Sequence, residues 1–263
     1  MVLFMASILL ASCGKSFKIK GTSSIPTLDG KTVYIKMSKN DQMITIDSAQ
    51  IVHGEFTMKG SVDSVGVASI YIDGESVAPI VIESGTMKLT ISQSDINVKG
   101  TKLNDKLYEF VAKKNSIDDR AQDNQRLESQ RILDGVDPQQ AQGQMDEANA
   151  KLGDEMKSYL KSFIRQNYDN VLGPSVFLMV CSSTFQFPML TPELQELVDQ
   201  APDKFRNNPL IQEYVSNAKD NIQNMQERQM EEQSADNKSS ENHDNDNADG
   251  NNNPAISLIY DTG

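Results

Sequence analysis

The sequence has no tryptophan, two cysteines and two histidines, and each shortage narrows what the chain can do. Aromatic residues make up 6% of the 263 residues, which predicts a modest hydrophobic core. The cysteines, Cys13 and Cys181, lie far apart and form no C-x-x-C pair. The pattern therefore favours neither a dithiol redox centre nor a scaffold held by several disulfides.

Positive charge is also scarce. The formal net charge is −12, and it is unevenly distributed. From Glu231 to Gly263 there are eight carboxylates and one lysine, a charge of −7, while the rest of the chain carries −5. A basic footprint of the kind that nucleic-acid-binding proteins carry is absent, so we expect no nucleic-acid partner.

Long apolar runs are missing as well. Residues 2–12 are mainly apolar, but this run is far shorter than the roughly 20 residues that a membrane-spanning helix needs. It fits the apolar core of a signal peptide. Leu10-Ala11-Ser12-Cys13 resembles the lipobox of bacterial lipoproteins, in which the signal is removed and the cysteine is acylated. We predict a signal peptide at 1–12 and lipidation of Cys13; the alternative is an apolar N-terminal strand with an incidental cysteine.

The residues after Cys13 bear on the location. Gly14-Lys15-Ser16 contains no acidic residue, whereas lipoproteins exported to the cell surface in the group that this sequence resembles often carry acidic residues there. We therefore expect a protein of the bacterial cell envelope, held by Cys13 on the periplasmic face of the outer membrane. The membrane and an unidentified envelope protein are its expected partners.

The sequence from Ile44 to Gly60 reads as two β-strands joined by a tight turn at His53-Gly54. Around it, residues 17–100 repeat short runs of alternating apolar residues, each closed by Gly, Asp or Asn. Asp47-Ser48 is expected to end a strand, and His53 is expected to be an exposed turn residue rather than a ligand. The pattern predicts about eight strands in an antiparallel β-sandwich or partly open barrel at residues 13–103.

Five short motifs follow one another along residues 17–85. They are Phe17-x-Ile19-x-Gly21, Val33-Tyr34-Ile35, Ile46-Asp47-Ser48-Ala49, Gly54-x-Phe56-x-Met58-x-Gly60 and Ile82-Glu83-x-Gly85. In this order they resemble the domain of unknown function DUF4369, which stands at the N-terminus of many Bacteroidetes thiol-disulfide oxidoreductases of the TlpA/ResA type. The resemblance covers roughly residues 16–112. It implies a relative of those oxidoreductases that lacks their thioredoxin domain.

Residues 104–230 are expected to be α-helical, which makes the overall class α+β. Asn104-Asp105, Asp137-Pro138, Thr191-Pro192 and Pro209 are candidate helix starts. Lys113 to Arg131 is almost entirely polar, so we expect either a solvated helix or a frayed connection. Residues 231–263 are rich in Asn, Asp, Glu and Ser and have little to bury, which predicts a disordered acidic tail.

The sequence lacks the common catalytic and cofactor motifs. It contains no G-x-S-x-G, no phosphate-binding glycine loop and no H-E-x-x-H, and His53 and His243 are its only imidazoles. Asn245, Asn247, Asp249 and Gly250 follow the spacing of an EF-hand loop, but Ile256 occupies the twelfth position, where that loop needs Glu. We therefore expect no catalytic residue, no metal site and no cofactor.

These observations lead to two hypotheses about function. The first is a non-catalytic, lipid-anchored binding or scaffolding protein of the cell envelope. The second is an accessory or degenerate member of a TlpA/ResA-like thiol-disulfide system, of which a truncated oxidoreductase is a variant. Cys181 lies in the most apolar run after the leader and is expected to be an inert core thiol.

Overall fold

The computed structural model describes residues 15–39 and 42–241. Its eight strands confirm the predicted number, and six α-helices follow them. The strands are β1 Ser16–Ser23, β2 Thr32–Lys39, β3 Gln42–Gln50, β4 Glu55–Ser61, β5 Gly66–Ile72, β6 Glu75–Ile82, β7 Gly85–Ile91 and β8 Ile96–Lys99. The helices are α1 Lys102–Leu133, α2 Pro138–Gln166, α3 Leu172–Thr184, α4 Pro192–Asp199, α5 Asp203–Arg206 and α6 Pro209–Glu241.

The strands form two four-stranded sheets that face each other without closing into a barrel. Sheet A has the order β4-β1-β7-β8, and sheet B has the order β3-β2-β5-β6. All pairings are antiparallel except that of β1 with β7. The inward side chains of both sheets form the core of the β domain, which confirms the predicted sandwich class. Ile19, Ile35, Ile70, Ile80 and Leu89 are each fully buried there.

The glycine of the β1 motif lies opposite the aromatic residue of the β4 motif, and the glycine of the β4 motif lies opposite the aromatic residue of the β1 motif. In the β1–β4 register, Phe17 lies opposite Gly60, and Phe56 lies opposite Gly21. A β-carbon on Gly60 would lie 2.5 Å from the Phe17 ring, and one on Gly21 would overlap the Phe56 ring. Each ring therefore occupies the space that its partner glycine leaves empty, which explains why both motifs pair an aromatic residue with a glycine.

The predicted tight turn is confirmed, but the two strands that it joins do not pair as a hairpin, since β3 pairs with β2 and β4 pairs with β1. His53 and Gly54 both have positive φ, 52° and 75°, between the paired residues Val52 and Glu55. His53 is exposed, as expected. The turn leads from β3 in sheet B to β4 in sheet A.

The prediction that Asp47-Ser48 ends a strand was wrong. Both residues lie inside β3, next to a bulge where the pairing with β2 shifts between Ile35 and Lys36. The Asp47 carboxylate accepts hydrogen bonds from the backbone N–H of Ser48 at 2.8 Å and of Lys59 at 2.9 Å. The carboxylate therefore links β3 to β4 rather than ending β3.

The start of the first helix also differs from the prediction. The cap is Thr101, not Asn104 or Asp105, and Asn104 is fully buried inside the first turn of α1. Its side-chain amide forms a pair of hydrogen bonds with the backbone of Val81 on the edge strand β6. The Glu83 carboxylate accepts from the N–H groups of Leu103 and Asn104, and so satisfies the helix N-terminus.

The helices pack around two aromatic clusters. Phe110 of α1 contacts Tyr159 and Phe163 of α2, with ring centroids 5.9 and 4.8 Å apart. In the second cluster, Phe205 contacts Tyr168 and Phe177. The polar stretch from Lys113 to Arg131 is helical throughout, so it is a solvated helix and not a frayed connection.

Two of the other helix starts are confirmed by their caps. Asp137 accepts from the N–H groups of Gln139 and Gln140, and Thr191 accepts from that of Leu194. Helix α6 begins at Pro209, as predicted, and continues to Glu241. The predicted tail therefore starts as helix between residues 231 and 241, and residues 242–263 lie outside the described residues, as does Cys13 at the other end.

Candidate functional site

The outer face of sheet A carries five lysines, and we call it the lysine face. They are Lys18 and Lys20 of β1, Lys59 of β4, Lys88 of β7 and Lys99 of β8. Each stands between inward-facing residues on its strand, such as Ile19 between Lys18 and Lys20. Since side chains alternate across a strand, all five point away from the core.

The pairing register brings these lysines next to one another. Lys20 lies opposite Lys88, and Lys88 lies opposite Lys99, so three positive charges form a row across three strands. Lys18 lies opposite Lys59 on the other side. Side chains directly opposite each other have β-carbons roughly 5 Å apart, and like charges placed in this way are destabilising.

Few negatively charged groups share this face with the five lysines. Among the outward residues of the four strands, Glu55 is the only carboxylate. Within residues 15–39 and 42–241, none of the five lysines forms an ion pair, although Lys31, Lys113, Lys114, Lys151 and Lys157 each do. The four strands therefore present five lysines and one carboxylate on this face, a local excess of positive charge on a chain whose net charge is −12.

The lysine face contains a shallow depression that is lined by threonine hydroxyl groups as well as by lysines. The depression has a volume of about 690 Å³, and its polar lining consists of four lysines, three threonines and one carboxylate: Lys18, Lys20, Lys88, Lys99, Thr22, Thr57, Thr86 and Glu55. Ammonium groups beside hydroxyl donors suit a ligand with anionic oxygens. Chemically, this arrangement can bind negative charge.

The corresponding lysine on sheet B has a different environment. Lys36 places its Nζ over the rings of Tyr34 and Tyr71, 5.5 and 4.8 Å from their centroids. Tyr34 and Tyr71 lie opposite each other on β2 and β5. The charge of Lys36 therefore has an intramolecular partner, unlike the charges of the lysine face.

A second concave surface lies between α2, α3 and α4. It has a volume of about 350 Å³, and Met156, Leu160 and Leu194 contribute apolar lining. Lys157 and Glu193 form an ion pair of 2.9 Å at its rim. The hydrogen bond from Lys157 lowers the pKa of the Glu193 carboxyl to about 2, so both groups are charged at neutral pH.

Cys181 is fully buried in α3 and is the one free cysteine in the described part of the chain. Burial raises the pKa of its thiol to about 11, while a hydrogen bond with Tyr214 acts in the opposite direction. A neutral, inaccessible thiol is a poor nucleophile, which agrees with the expectation of an inert core residue.

The state of Cys181 can be checked by alkylation. A pKa about two units above that of an ordinary thiol leaves about a hundredfold less thiolate at pH 8, so we expect labelling of Cys181 in the folded protein to be at least about 100-fold slower than in denaturant. The measurement is iodoacetamide labelling followed by peptide mass spectrometry. Similar rates in both states would show that Cys181 is accessible and reactive.

The same shift predicts a loss of stability at high pH. The pKa of the Cys181 thiol is higher in the folded protein than in the unfolded chain. Its contribution to the free energy of unfolding is therefore complete below pH about 9 and is lost as the pH rises towards about 11.

Two further features concern the described residues as a whole. No group of three or more His, Cys, Asp or Glu side chains among them is placed to hold a metal ion. In the same part of the chain, no helix has an apolar stretch long enough to cross a bilayer.

The fold and its surface define an open two-sheet β domain with a basic outer face, followed by a helical region. Residues 17–107 match the family described as domain of unknown function (DUF4369), a stretch that contains all eight strands except the first residue of β1, and the start of α1. It amounts to about a third of the chain. A search of curated proteins found no significant match to the chain.

Sequence reasoning did not find the lysine face. The alternation of Lys18 and Lys20 on one strand was a visible signal, but the other three lysines each stand alone on their strands. Only the sheet order β4-β1-β7-β8 brings them together. Strands β7 and β8 are consecutive, but the pairings of β1 with β4 and with β7 join strands that are distant in sequence, and local patterns do not encode them.

Proposed function

We propose that the chain is a non-catalytic, lipid-anchored binding or scaffolding module of the bacterial cell envelope, and that its lysine face holds an anionic partner. One observation carries the proposal: five lysines with no ion pair in the described part of the chain share one sheet face of an acidic protein. Stability does not favour a row of opposed like charges, so binding is the better explanation of the arrangement.

The anchor belongs to the same proposal. Acylated Cys13, on the periplasmic face of the outer membrane, would hold the β domain at the membrane. The Leu-Ala-Ser-Cys sequence supports this assignment. The helical region would then extend the module beyond the β domain, with the groove between α2, α3 and α4 on its surface.

The test uses two variants that change the charge equally. The face variant replaces three lysines of the row by glutamine: Lys20→Gln, Lys88→Gln and Lys99→Gln. The control variant replaces three lysines elsewhere that form no ion pair in the described part of the chain: Lys39→Gln, Lys161→Gln and Lys219→Gln. Binding to immobilised heparin, a generic polyanion, is measured against salt concentration.

We expect the unchanged chain and the control variant to be retained at low salt and the face variant to be retained about tenfold more weakly or not at all, because exposed charges act over about a Debye length. Retention of all three proteins at the same salt concentration would contradict the proposal. Circular dichroism spectra of the three proteins must coincide for the comparison to apply.

An accessory role in a thiol-disulfide system is the second candidate, and the DUF4369 match at residues 17–107 favours it. We propose that the β domain is related to the N-terminal domain of TlpA/ResA-like oxidoreductases. Because Cys181 is buried and its pKa is raised, such a role would consist of docking a separate thioredoxin-fold protein rather than of thiol chemistry.

A further inference from the structure

We infer that the lysine face lies against an anionic phospholipid surface and fixes the orientation of the β domain on the membrane. The inference rests on the proposed function and identifies the partner of the same face. It adds a second membrane contact to the expected acyl anchor.

The position of the face relative to the chain end argues for a membrane. Strand β1 begins at Ser16, three residues after Cys13, and it carries Lys18 and Lys20 outward. Three extended residues span at most about 10 Å. A lipid on Cys13 would therefore hold the start of β1 within about one Debye length of the headgroups, where surface charge is still felt.

The chemistry of the face argues for phosphate. The depression of about 690 Å³ is lined by four lysines (Lys18, Lys20, Lys88 and Lys99), by hydroxyl groups such as those of Thr57 and Thr86, and by one carboxylate, that of Glu55. Each lysine near an anionic leaflet contributes about 1 kcal/mol of attraction. Five such residues on one face of a single sheet offer more charges to an extended anionic surface than to a small ligand in the depression, which only four of them line.

The shape of the molecule is consistent with this orientation. Sheet A faces sheet B across the core, so placing the lysine face on the membrane directs Tyr34, Lys36 and Tyr71 away from it. Acyl chains alone would tether the domain but would leave its rotation free. A basic face is a second signal of the kind that strengthens lipid anchoring.

The test uses the unacylated chain from Cys13 to Gly263, which keeps every residue that the structure describes and removes the contribution of the anchor. Binding is measured by flotation with two kinds of vesicle: phosphatidylcholine alone, and phosphatidylcholine with about one third phosphatidylglycerol. The face variant and the control variant defined above are compared in both, and binding to heparin is measured in parallel.

We expect binding only to the vesicles with phosphatidylglycerol, loss of that binding by about 100-fold in the face variant, and little change in the control variant. Equal binding of both variants to those vesicles would overturn the inference. Retention on heparin without binding to vesicles would overturn the membrane assignment and leave the proposed function standing. Failure to bind either polyanion would overturn both.

Discussion

Replacing Asn104 by alanine is expected to lower the free energy of unfolding by about 3–5 kcal/mol. The Asn104 side chain is fully buried, and its amide nitrogen donates to the carbonyl of Val81 at 2.8 Å and to the Thr101 hydroxyl at 2.9 Å. Its oxygen accepts from the N–H of Val81 at 2.9 Å. Removing the amide leaves both backbone groups of Val81 without these partners in a buried environment, which is the costly case.

Urea unfolding followed by circular dichroism measures this change. Asn124→Ala is the matched control, since Asn124 also lies on α1 but forms a single side-chain hydrogen bond, with Asn149. The control is expected to lose less than about 1 kcal/mol. A loss of similar size in both variants would show that the Asn104 amide does not hold α1 to the edge of sheet B.

Replacing Gly21 by alanine is expected to destabilise the protein by about 2–4 kcal/mol, although alanine adds only a methyl group. That methyl would overlap the ring of Phe56, which lies opposite Gly21 in the β1–β4 pair. Phe56 is 6% exposed and packed in the core, so the ring cannot move away freely.

A double-mutant cycle tests the cause. If the clash accounts for the loss, Phe56→Leu combined with Gly21→Ala costs at least about 1 kcal/mol less than the sum of the single changes. Gly143→Ala in α2 is the control, because a β-carbon there meets nothing within 4 Å, and it is expected to stabilise by about 0.5–1 kcal/mol. Additive losses for Gly21 and Phe56 would disprove the proposed ring-over-glycine packing.

Much of the fold was predictable because it depends on local patterns. The alternation of apolar residues gave eight strands, and the His53-Gly54 pair gave the turn between β3 and β4. Asp137 and Thr191 gave two helix caps. In each of these cases, the residues that determine the structure lie within a few positions of it.

The two wrong predictions concern polar side chains whose hydrogen-bond partners lie on a distant strand. Asn104 and Asp47 both have the side chain of a typical cap or strand end, and both instead bond to the backbone of other strands, at Val81 and Lys59. Propensity describes what a short polar side chain does when only its own segment is near. The lysine face could not be predicted for the same reason, since its row of charges forms only when β1, β7 and β8 are paired.

The central claim is that the lysine face binds anions, and the salt dependence of heparin binding tests it most directly. The slope of log affinity against log salt concentration counts the charges that take part. We predict that the slope falls by about two to three in the face variant and stays the same in the control variant, although the net charge changes equally. Equal slopes for the two variants would contradict the claim.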